Sequence, residues 1–443
     1  MTTQHDLSRA TAAGPRGGAS PGRGRSHAVP RPNEGVWPGL ATPPVAPVKA
    51  RVAESLFRNA VRSLPVRVIF PGGARIGAGD ASSPVMRIER PEAFFARLGA
   101  NSKIGFGESY MVGDWTTTDL PGLLTPFAAR LSTLIPPALQ RLGRRFAEAR
   151  QPAAEVNSVE GSRENIHRHY DLSNDLFSIF LDETMSYSAG WFADDSDDLV
   201  LAQERKIDGI LDMAAVREGM HVLEIGTGWG GLATRAAQRG ARVTTLTISQ
   251  EQKELAEARV AEAGVADRVQ VLLRDYREAQ GSYDAVVSVE MIEAVGVAYW
   301  PTFFATLDRL LKPGGRVGLQ SITMPHQRMM LARNDYTWIH KYVFPGGIIP
   351  SVTAIEENLD AHTGLHVAER RSLGFDYART LGHWRERFLS RWDDVAALGF
   401  DETFRRMWEF YLGYCEAGFR VGYLDVFQFS LQRKPSFVPG AAS

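Results

Sequence analysis

The feature that most constrains the fold of this chain is a regular alternation of apolar strands and helices that begins near residue 207. Buried strands joined by helical crossovers form a parallel sheet with helices on both faces. The sequence therefore predicts an α/β, doubly wound, Rossmann-like domain. The predicted strands are Val222–Ile225, Arg242–Ile248, Arg268–Leu273, Tyr283–Val289 and Gly315–Ile322, and the predicted helices are Gly231–Arg239, Gln250–Ala263 and Tyr299–Leu311.

Composition excludes several classes of protein. The 443 residues carry 50 Lys and Arg against 51 Asp and Glu, so the strongly basic signature of a dedicated nucleic-acid binder is missing. The single cysteine, Cys415, excludes an internal disulfide and a cysteine metal cluster, as expected in a reducing cytoplasm. Apolar runs fall short of the roughly 18–20 residues of a spanning helix. We expect a cytoplasmic protein that touches membranes only from the surface.

Composition along the chain predicts two domains with flexible flanks. The first segment is rich in Gly, Pro, Ala and Arg, which favours disorder. In the accessory domain, the glycines of Gly105–Trp115 argue against a regular helix. Leu120–Arg150 has a basic face that suits either an anionic lipid surface or packing on the next domain. The predicted segments are a tail (1–48), a small α+β accessory domain (49–150), a linker (151–162), the α/β domain (163–435) and a second tail (436–443).

A glycine-rich loop follows the first strand of the α/β domain, in the sequence VLEIGTGWGG. Such a turn lets a ligand approach the backbone at the carboxyl end of a sheet. Its glycines are not spaced as in dinucleotide-binding loops, and Glu224 lies two positions before the first of them. The pattern resembles the S-adenosylmethionine (SAM) motif of class I methyltransferases. The SAM-binding residues expected here and on the following strands are Glu224, Gly226, Gly228, Gly230, Thr247, Ile248, Gln252, Asp275 and Tyr276, with Asp275 as an acceptor for the adenine amino group.

Further motifs narrow the resemblance. They are the segment NIHRHYDLSNDLFSIFLDETMSYSAGWF (165–192), EAVG (293–296), YVFPGG (342–347), the run from Tyr377 to Trp384, and WEFYLGYCEAGF (408–419). Together they resemble the cyclopropane-fatty-acid and mycolic-acid synthase family from Val52 to Arg433. The resemblance is greatest to the actinobacterial enzymes that make mid-chain methylene fatty acids. It implies a class I methyltransferase fold with a seven-stranded, mostly parallel sheet.

The resemblance also implies which residues act. Tyr187 and Ser188 stand where the family contacts SAM. Members of the family bind bicarbonate as a base, and the positions matching that site are Ala189, Glu293, Gln320, Ile322 and Tyr377. Ala189 replaces a family cysteine, and Gln320 replaces a histidine. A second histidine, which follows the glutamate in the family, is Ala294 here. The implied cofactors are therefore SAM and, as an option, bicarbonate.

The implied reaction is methyl transfer to the cis double bond of an oleoyl-type chain in a phospholipid. An alkene has no proton to remove first, so the enzyme must position it and shield the resulting cation. Aromatic residues at the motifs are candidates for that shield: Tyr170, Tyr187, Tyr336, Trp338 and Phe344. We expect a mid-chain methylene product that a flavin-dependent reductase converts to a methyl branch. The alternatives are a cyclopropane product, a small-molecule methyltransferase and a catalytically silent scaffold.

Other features carry weaker expectations. Glu290 would share a helical face with Glu293, and a cap or surface salt bridge is the favoured interpretation. His167, His169 and His340 lack the spacing of metal ligands, so we expect no metal. The resemblance is compatible with a homodimer, and it implies peripheral association with the inner face of the cell membrane.

Overall fold

The computed structural model describes residues 31–130, 173–333 and 335–434. Its amino-terminal part is a small α+β unit with a four-stranded sheet in the spatial order β2-β1-β3-β4. The β1 and β3 strands run parallel, whereas the other two pairs are antiparallel. The elements of this part are α1 (Pro47–Val61), β1 (Arg67–Ile69), β2 (Arg75–Ile76), β3 (Val85–Ile88), α2 (Pro91–Ala100), α3 (Ser102–Met111), β4 (Trp115–Thr116) and α4 (Leu120–Ala129).

The α3 helix corrects the sequence-based expectation for Gly105–Trp115, because most of that segment is helical. Its glycines serve close packing. A Cβ on Gly105 would lie 2.1 Å from the carbonyl oxygen of Arg97, and one on Gly107 would lie 2.5 Å from the indole ring of Trp338. Helix propensity alone disfavours glycine by about 1 kcal/mol relative to alanine. Here tertiary contact outweighs propensity, so the prediction was wrong.

Part of the segment predicted as a tail packs on the fold. The indole nitrogen of Trp37 donates to Asp401 at 3.0 Å. Leu40 is buried, and its carbonyl accepts a hydrogen bond from the guanidinium of Arg97 at 2.7 Å. Residues 1–30, the linker 151–162, the basic stretch beyond Arg130, and Tyr170, His167 and His169 lie outside the described residues.

The larger domain is built on a seven-stranded sheet in the order β10-β11-β9-β8-β5-β6-β7. The five strands from β9 to β7 in this order are parallel, and β11 joins β9 and β10 antiparallel. This topology confirms the predicted class I methyltransferase fold. The strands are β5 (His221–Ile225), β6 (Arg242–Thr247), β7 (Val269–Leu273), β8 (Tyr283–Val289), β9 (Leu311–Thr323), β10 (Leu365–Ser372) and β11 (Asp425–Arg433).

Helices cover both faces and the carboxyl edge of this sheet. The three helices predicted from sequence are confirmed to within one residue at each end. The helices of this domain are α5 (Asn174–Phe180), α6 (Leu199–Met213), α7 (Gly231–Gln238), α8 (Gln250–Glu262), α9 (Trp300–Leu310), α10 (His326–Ala332), α11 (Trp338–Tyr342), α12 (Val352–His362), α13 (Gly374–Ser390), α14 (Trp392–Ala397) and α15 (Glu402–Arg420). Among the described residues, none of the helices is both long and apolar enough to span a bilayer.

The fold positions a ligand site at the carboxyl edge of the sheet. Strand order reverses between β5 and β8, and in such sheets the crevice at the reversal binds ligands. The α15 helix joins the two parts of the molecule next to this edge. The guanidinium of Arg406 donates to the carbonyls of Tyr110 at 2.6 Å and Trp115 at 3.1 Å. The amino-terminal part is thereby fixed to a helix that also carries residues of the site.

Candidate active site

The loop after β5 exposes its backbone to a cavity. Gly226, Gly228 and Gly230 have φ angles of 98°, 51° and 86°, a region that favours glycine. A Cβ on Gly226 would lie 2.5 Å from Met291, whereas no described atom lies within 4 Å of one on Gly228. The space beside Gly228 is therefore open to a ligand.

The cavity is lined by every predicted SAM-binding residue except Gly230, which instead packs against α8 near Ala256. The lining does not include the five predicted catalytic residues, which are Ala189, Glu293, Gln320, Ile322 and Tyr377. Lining residues that the sequence reasoning did not assign to SAM include Met185, Ser186, Lys206, Thr227, Trp229, Glu290 and Met291.

Glu224 gives the cavity a buried acidic group. Its carboxylate accepts a hydrogen bond from the Thr245 hydroxyl at 2.6 Å. Burial raises the pKa of Glu224 to about 8, against the opposing effects of Thr245 and the charge of Lys206. A cationic ligand group would favour the ionised form of this carboxyl. The amino group of SAM has that charge, so the residue fits the role expected of it.

The far side of the cavity is held by short polar contacts. The Thr247 hydroxyl donates to the Gln252 amide oxygen at 2.8 Å. The Arg277 guanidinium donates to both oxygens of Asp275, at 2.8 and 2.7 Å. The Arg277 backbone N–H donates to Asp275 as well, at 2.9 Å, and Asp275 lines the cavity where an adenine amino group is expected. The Tyr276 hydroxyl is buried and has no hydrogen-bond partner among the described residues. These features fit a nucleoside.

Glu293 is held at the carboxyl end of β9. Its Oε1 atom accepts hydrogen bonds from the Ser321 hydroxyl at 2.9 Å and from the Ile322 N–H at 2.6 Å. Its Oε2 atom is buried without a hydrogen-bond partner in the described part of the chain. Burial, followed by the charge of Glu290, raises the pKa of Glu293 to about 8.

Three predicted catalytic residues converge on Glu290, a residue the sequence interpretation left outside the site. Its Oε1 atom accepts hydrogen bonds from the Ala189 N–H at 3.0 Å and from the Gln320 amide at 2.9 Å. The Tyr377 hydroxyl also hydrogen-bonds this carboxylate. Burial, then the Glu290 charge, raises the pKa of Tyr377 well above its usual range, so the hydroxyl stays a donor. The favoured interpretation of Glu290 as a cap or surface ion pair is wrong.

A second layer of polar side chains orients this cluster. The Gln428 amide donates to the Gln320 amide oxygen at 3.0 Å and to the carbonyl of Lys206 at 2.9 Å. The Lys206 ammonium donates to the Ser188 hydroxyl at 2.8 Å. Burial lowers the pKa of Lys206 to about 8, and Glu290 is the strongest charge that opposes this shift. Lys206 and Gln428 escaped the sequence analysis because neither lies in a recognisable motif.

Aromatic rings pack beside the cluster formed by Glu290, Gln320 and Tyr377. The hydroxyls of Tyr187 and Tyr411 are 2.8 Å apart, and the ring of Phe344 lies 5.6 Å from that of Tyr411. Trp384 lies between Tyr187, at 5.2 Å, and Tyr377, at 5.9 Å. The other two described candidates pack elsewhere. Trp338 contacts Phe410 and Met111, and Tyr336 stacks on His340.

The residues of the implied bicarbonate site already have carboxylate partners. The Ala189 N–H and the Gln320 amide donate to Glu290, and the Ile322 N–H donates to Glu293. A bicarbonate ion would need these donors for its own oxygens and would bring a negative charge next to two buried carboxyl groups. The donor set therefore does not fit bicarbonate.

Comparison with known proteins gives a consistent result. Residues 157–429 match the family model described as mycolic acid cyclopropane synthetase. The chain is 50% identical over 408 residues to the tuberculostearic acid methyltransferase UfaA1 of Mycobacterium tuberculosis, spanning 90% of this chain and 95% of that protein. It is 36% identical over 359 residues to the cyclopropane-fatty-acyl-phospholipid synthase of Escherichia coli K12, spanning 80% of this chain and 89% of the relative.

A solved structure agrees with these relatives. The crystal structure of the mycolic acid cyclopropane synthase CmaA1, complexed with SAH and CTAB, superposes with a TM-score of 0.57 at 32% sequence identity. The match covers 64% of this chain and 99% of that one.

Proposed function

Because the chain belongs to the mycolic acid cyclopropane synthetase family and is a SAM-dependent methyltransferase, we propose that its substrate is the cis double bond of an oleoyl-type phospholipid chain. The proposed product is a mid-chain methylene. The observation that carries this proposal is the similarity to the tuberculostearic acid methyltransferase, which extends over 95% of that relative. A cyclopropane product is the second candidate, favoured by the similarity to the Escherichia coli synthase.

The residues that line the cavity would hold SAM. Glu224, Gly226 and Gly228 would bind its amino-acid end, and Thr247, Gln252, Asp275 and Tyr276 would contact its adenosine. When bound, SAM supplies a methyl group on a positively charged sulfur. The chain's contribution is to orient that methyl group toward the acyl chain and to exclude water.

The aromatic residues beside the cavity suit the acyl side of the reaction. The alkene uses its π electron pair to bond the methyl carbon, and its second carbon is left as a cation. Tyr187 lines the cavity, and Trp384 and Tyr411 pack against it. An aromatic ring at this place would stabilise a nearby cation, and the apolar packing around it would keep water away. A hydride shift, followed by proton loss from the added methyl group, gives the methylene.

The predicted catalytic residues receive different roles in this proposal. Tyr377 and Gln320 hydrogen-bond the Glu290 carboxylate, which lines the cavity. Glu293 is tied to the end of β9 and positions the Ser321–Ile322 backbone. The groups that would bind bicarbonate already donate to Glu290 and Glu293. Bicarbonate therefore has no step in the proposed reaction.

We extend the proposal to the partners of the enzyme. A methylene branch must gain two hydrogens to become a methyl branch, which is the work of a flavin-dependent reductase. A phospholipid substrate requires peripheral contact with the inner face of the cell membrane. A homodimer stays a prediction.

The test combines mass spectrometry with proton NMR. Purified protein is incubated with SAM and vesicles of dioleoyl phospholipid, and the released fatty acids are analysed. We expect a mass gain of one CH₂ unit and vinylidene proton signals. Cyclopropyl signals alone would select the second candidate. Transfer to soluble amines without any change in the lipid would reject both candidates, and failure to float with anionic vesicles would reject the membrane contact.

A further inference from the structure

Glu290 occupies an unusual backbone position. It follows the last residue of β8 and has a φ of 49°, a region that non-glycine residues rarely adopt. Its N–H donates to the Gln320 carbonyl at 2.8 Å, which holds the backbone against β9. Such strain persists only where surrounding contacts fix it. The fold therefore holds a carboxylate at this point of the cavity wall despite the strain.

The contacts of the Glu290 carboxylate coincide with the implied bicarbonate site. Ala189 donates its N–H at 3.0 Å, Gln320 donates its amide at 2.9 Å, and Tyr377 donates its hydroxyl. Bicarbonate carries its negative charge on the same planar pair of oxygens as a carboxylate. The Glu290 side chain thus offers these three donors the same pair of oxygen acceptors that a free bicarbonate ion would offer.

The neighbours of Gln320 fix which of its atoms faces Glu290. Gln428 donates to the Gln320 amide oxygen at 3.0 Å, so the Gln320 NH₂ group points to the Glu290 carboxylate. The amide NH₂ group donates at every pH, whereas each nitrogen of an imidazole donates only when it carries a proton. Lys206 supplies a compensating positive charge to the same carboxylate. Burial raises the pKa of Glu290, and the Ala189, Gln320 and Lys206 groups oppose that shift. The donors of this site therefore favour a carboxylate, and the Glu290 side chain supplies one.

We propose that the Glu290 carboxylate is the resident base of this enzyme and stands where related enzymes bind bicarbonate. This inference rests on the proposed function, since it names the group that completes that reaction. Glu290 lines the SAM cavity, whereas Glu293 does not, so Glu290 can reach the added methyl group.

The proton transfer balances without a co-reactant. The alkene π pair forms the new carbon–carbon bond as the carbon–sulfur bond breaks and leaves its electron pair on sulfur. The Glu290 carboxylate then takes one proton from the added methyl group. The C–H electron pair becomes the C=C bond of a methylene, after a hydride shift, or closes the ring of a cyclopropane. The neutral carboxyl returns its proton to water before the next turnover.

The test uses two variants of the full chain. Glu290→Gln keeps the shape of the side chain but cannot accept the proton. Glu290→Gly removes the side chain, relieves the positive φ and leaves room for a free ion beside Ala189, Gln320 and Tyr377. Turnover is measured at saturating SAM in buffer depleted of carbon dioxide. It is then measured with rising sodium bicarbonate, with sodium chloride of equal ionic strength as the control.

We expect wild-type turnover to be independent of bicarbonate. Both variants should lose about 100-fold or more, the scale of a lost general base. Bicarbonate should restore turnover in Glu290→Gly and not in Glu290→Gln. Thermal unfolding of Glu290→Gly at or above the wild-type midpoint would show that the loss is not a folding defect.

Three results would overturn the inference. Wild-type turnover that requires bicarbonate would return the role of base to the free ion. Full turnover in Glu290→Gln would exclude the carboxylate as base. If bicarbonate did not restore the turnover of Glu290→Gly, the Glu290 carboxylate would not stand where related enzymes bind the ion. A wild type that methylates no acyl chain under any condition would instead reject the proposed function itself.

Discussion

The two halves of the active site are built in different ways. The cofactor half, around Glu224 and Gly228, is formed by a short loop after β5 and by the segments that follow β6 and β7, the next two strands along the chain. The base half gathers single residues from distant elements. Glu290 and its partner Ala189 are 101 residues apart, and Gln320 and Gln428 are 108 residues apart. The first half is a local structure, and the second exists only after the whole domain has folded.

This difference decides which substitutions should damage each half. The cofactor half depends on empty space next to the backbone, so an added side chain should damage it. The base half is a connected set of hydrogen bonds, so loss of one polar atom should damage it while the cofactor half stays intact. The predictions below test that division.

The largest effect is expected from Gly228→Asp. The new carboxylate would occupy the open space beside the loop and repel the carboxylate of SAM. We expect SAM affinity to fall about 1000-fold, which corresponds to about 4 kcal/mol, as measured by calorimetry. The matched control is Gly264→Asp, since Gly264 has a positive φ of 71° and no described atom within 4 Å of its Cβ position. Equal loss of affinity in the control would contradict the assignment.

Tyr377→Phe should separate the two halves. It removes the hydroxyl that hydrogen-bonds Glu290 and leaves the ring packing on Phe419 and Trp384. We expect turnover to fall about 100-fold, the lower end of the range for lost acid–base assistance, with unchanged SAM affinity. The control, Tyr283→Phe, removes a hydroxyl that donates to the Gln280 carbonyl at the start of β8. If Tyr377→Phe lost SAM affinity together with turnover, the two halves would be coupled.

Gly107→Ala should test the support that α3 gives to α11. A Cβ there would lie 2.5 Å from the ring of Trp338. Overpacking of this kind costs about 1–3 kcal/mol, so we expect a lower unfolding midpoint and normal SAM affinity in the folded protein. Gly382→Ala is the control within α13, where the Cβ would meet Glu416 at an ordinary 3.5 Å. An equal midpoint in the two variants would contradict the close contact of α3 with α11.

The same division explains what the sequence could and could not predict. Glu224 and its glycines are adjacent in the chain, so their pattern indicated both the fold and the cofactor. Ala189, Gln320 and Tyr377 were found only through resemblance to a family. Glu290 was misassigned because its partners come from a loop, from β9 and from α13, and contacts over such distances leave no local pattern. Its one signal was a polar residue directly after a buried strand, at the edge where ligands bind.

The smallest expected effect concerns the pH dependence of stability, and it tests whether acid weakens α11 while the cofactor half stays intact. Burial lowers the pKa of His340, whose Nδ1 atom accepts the Thr337 N–H at 3.1 Å at the start of α11. A lowered histidine pKa means that the unfolded chain binds more protons than the folded one below about pH 6.5. Stability is therefore complete above that pH and decreases as the pH falls toward the native pKa.

His340→Gln tests this by keeping a side chain that can cap the helix but cannot titrate. Between pH 7 and pH 5.5 the unfolding midpoint of the wild type should fall more than that of the variant. A single group contributes at most about 1.4 kcal/mol per pH unit, and comparison of the two slopes cancels the other titrating groups. His221, on β5 beneath the cofactor half, also has a pKa lowered by burial. Parallel slopes in wild type and variant would therefore place the acid sensitivity outside α11 and make His221 the next residue to replace. Diverging slopes with constant SAM affinity would locate the acid sensitivity in α11, outside the cofactor half.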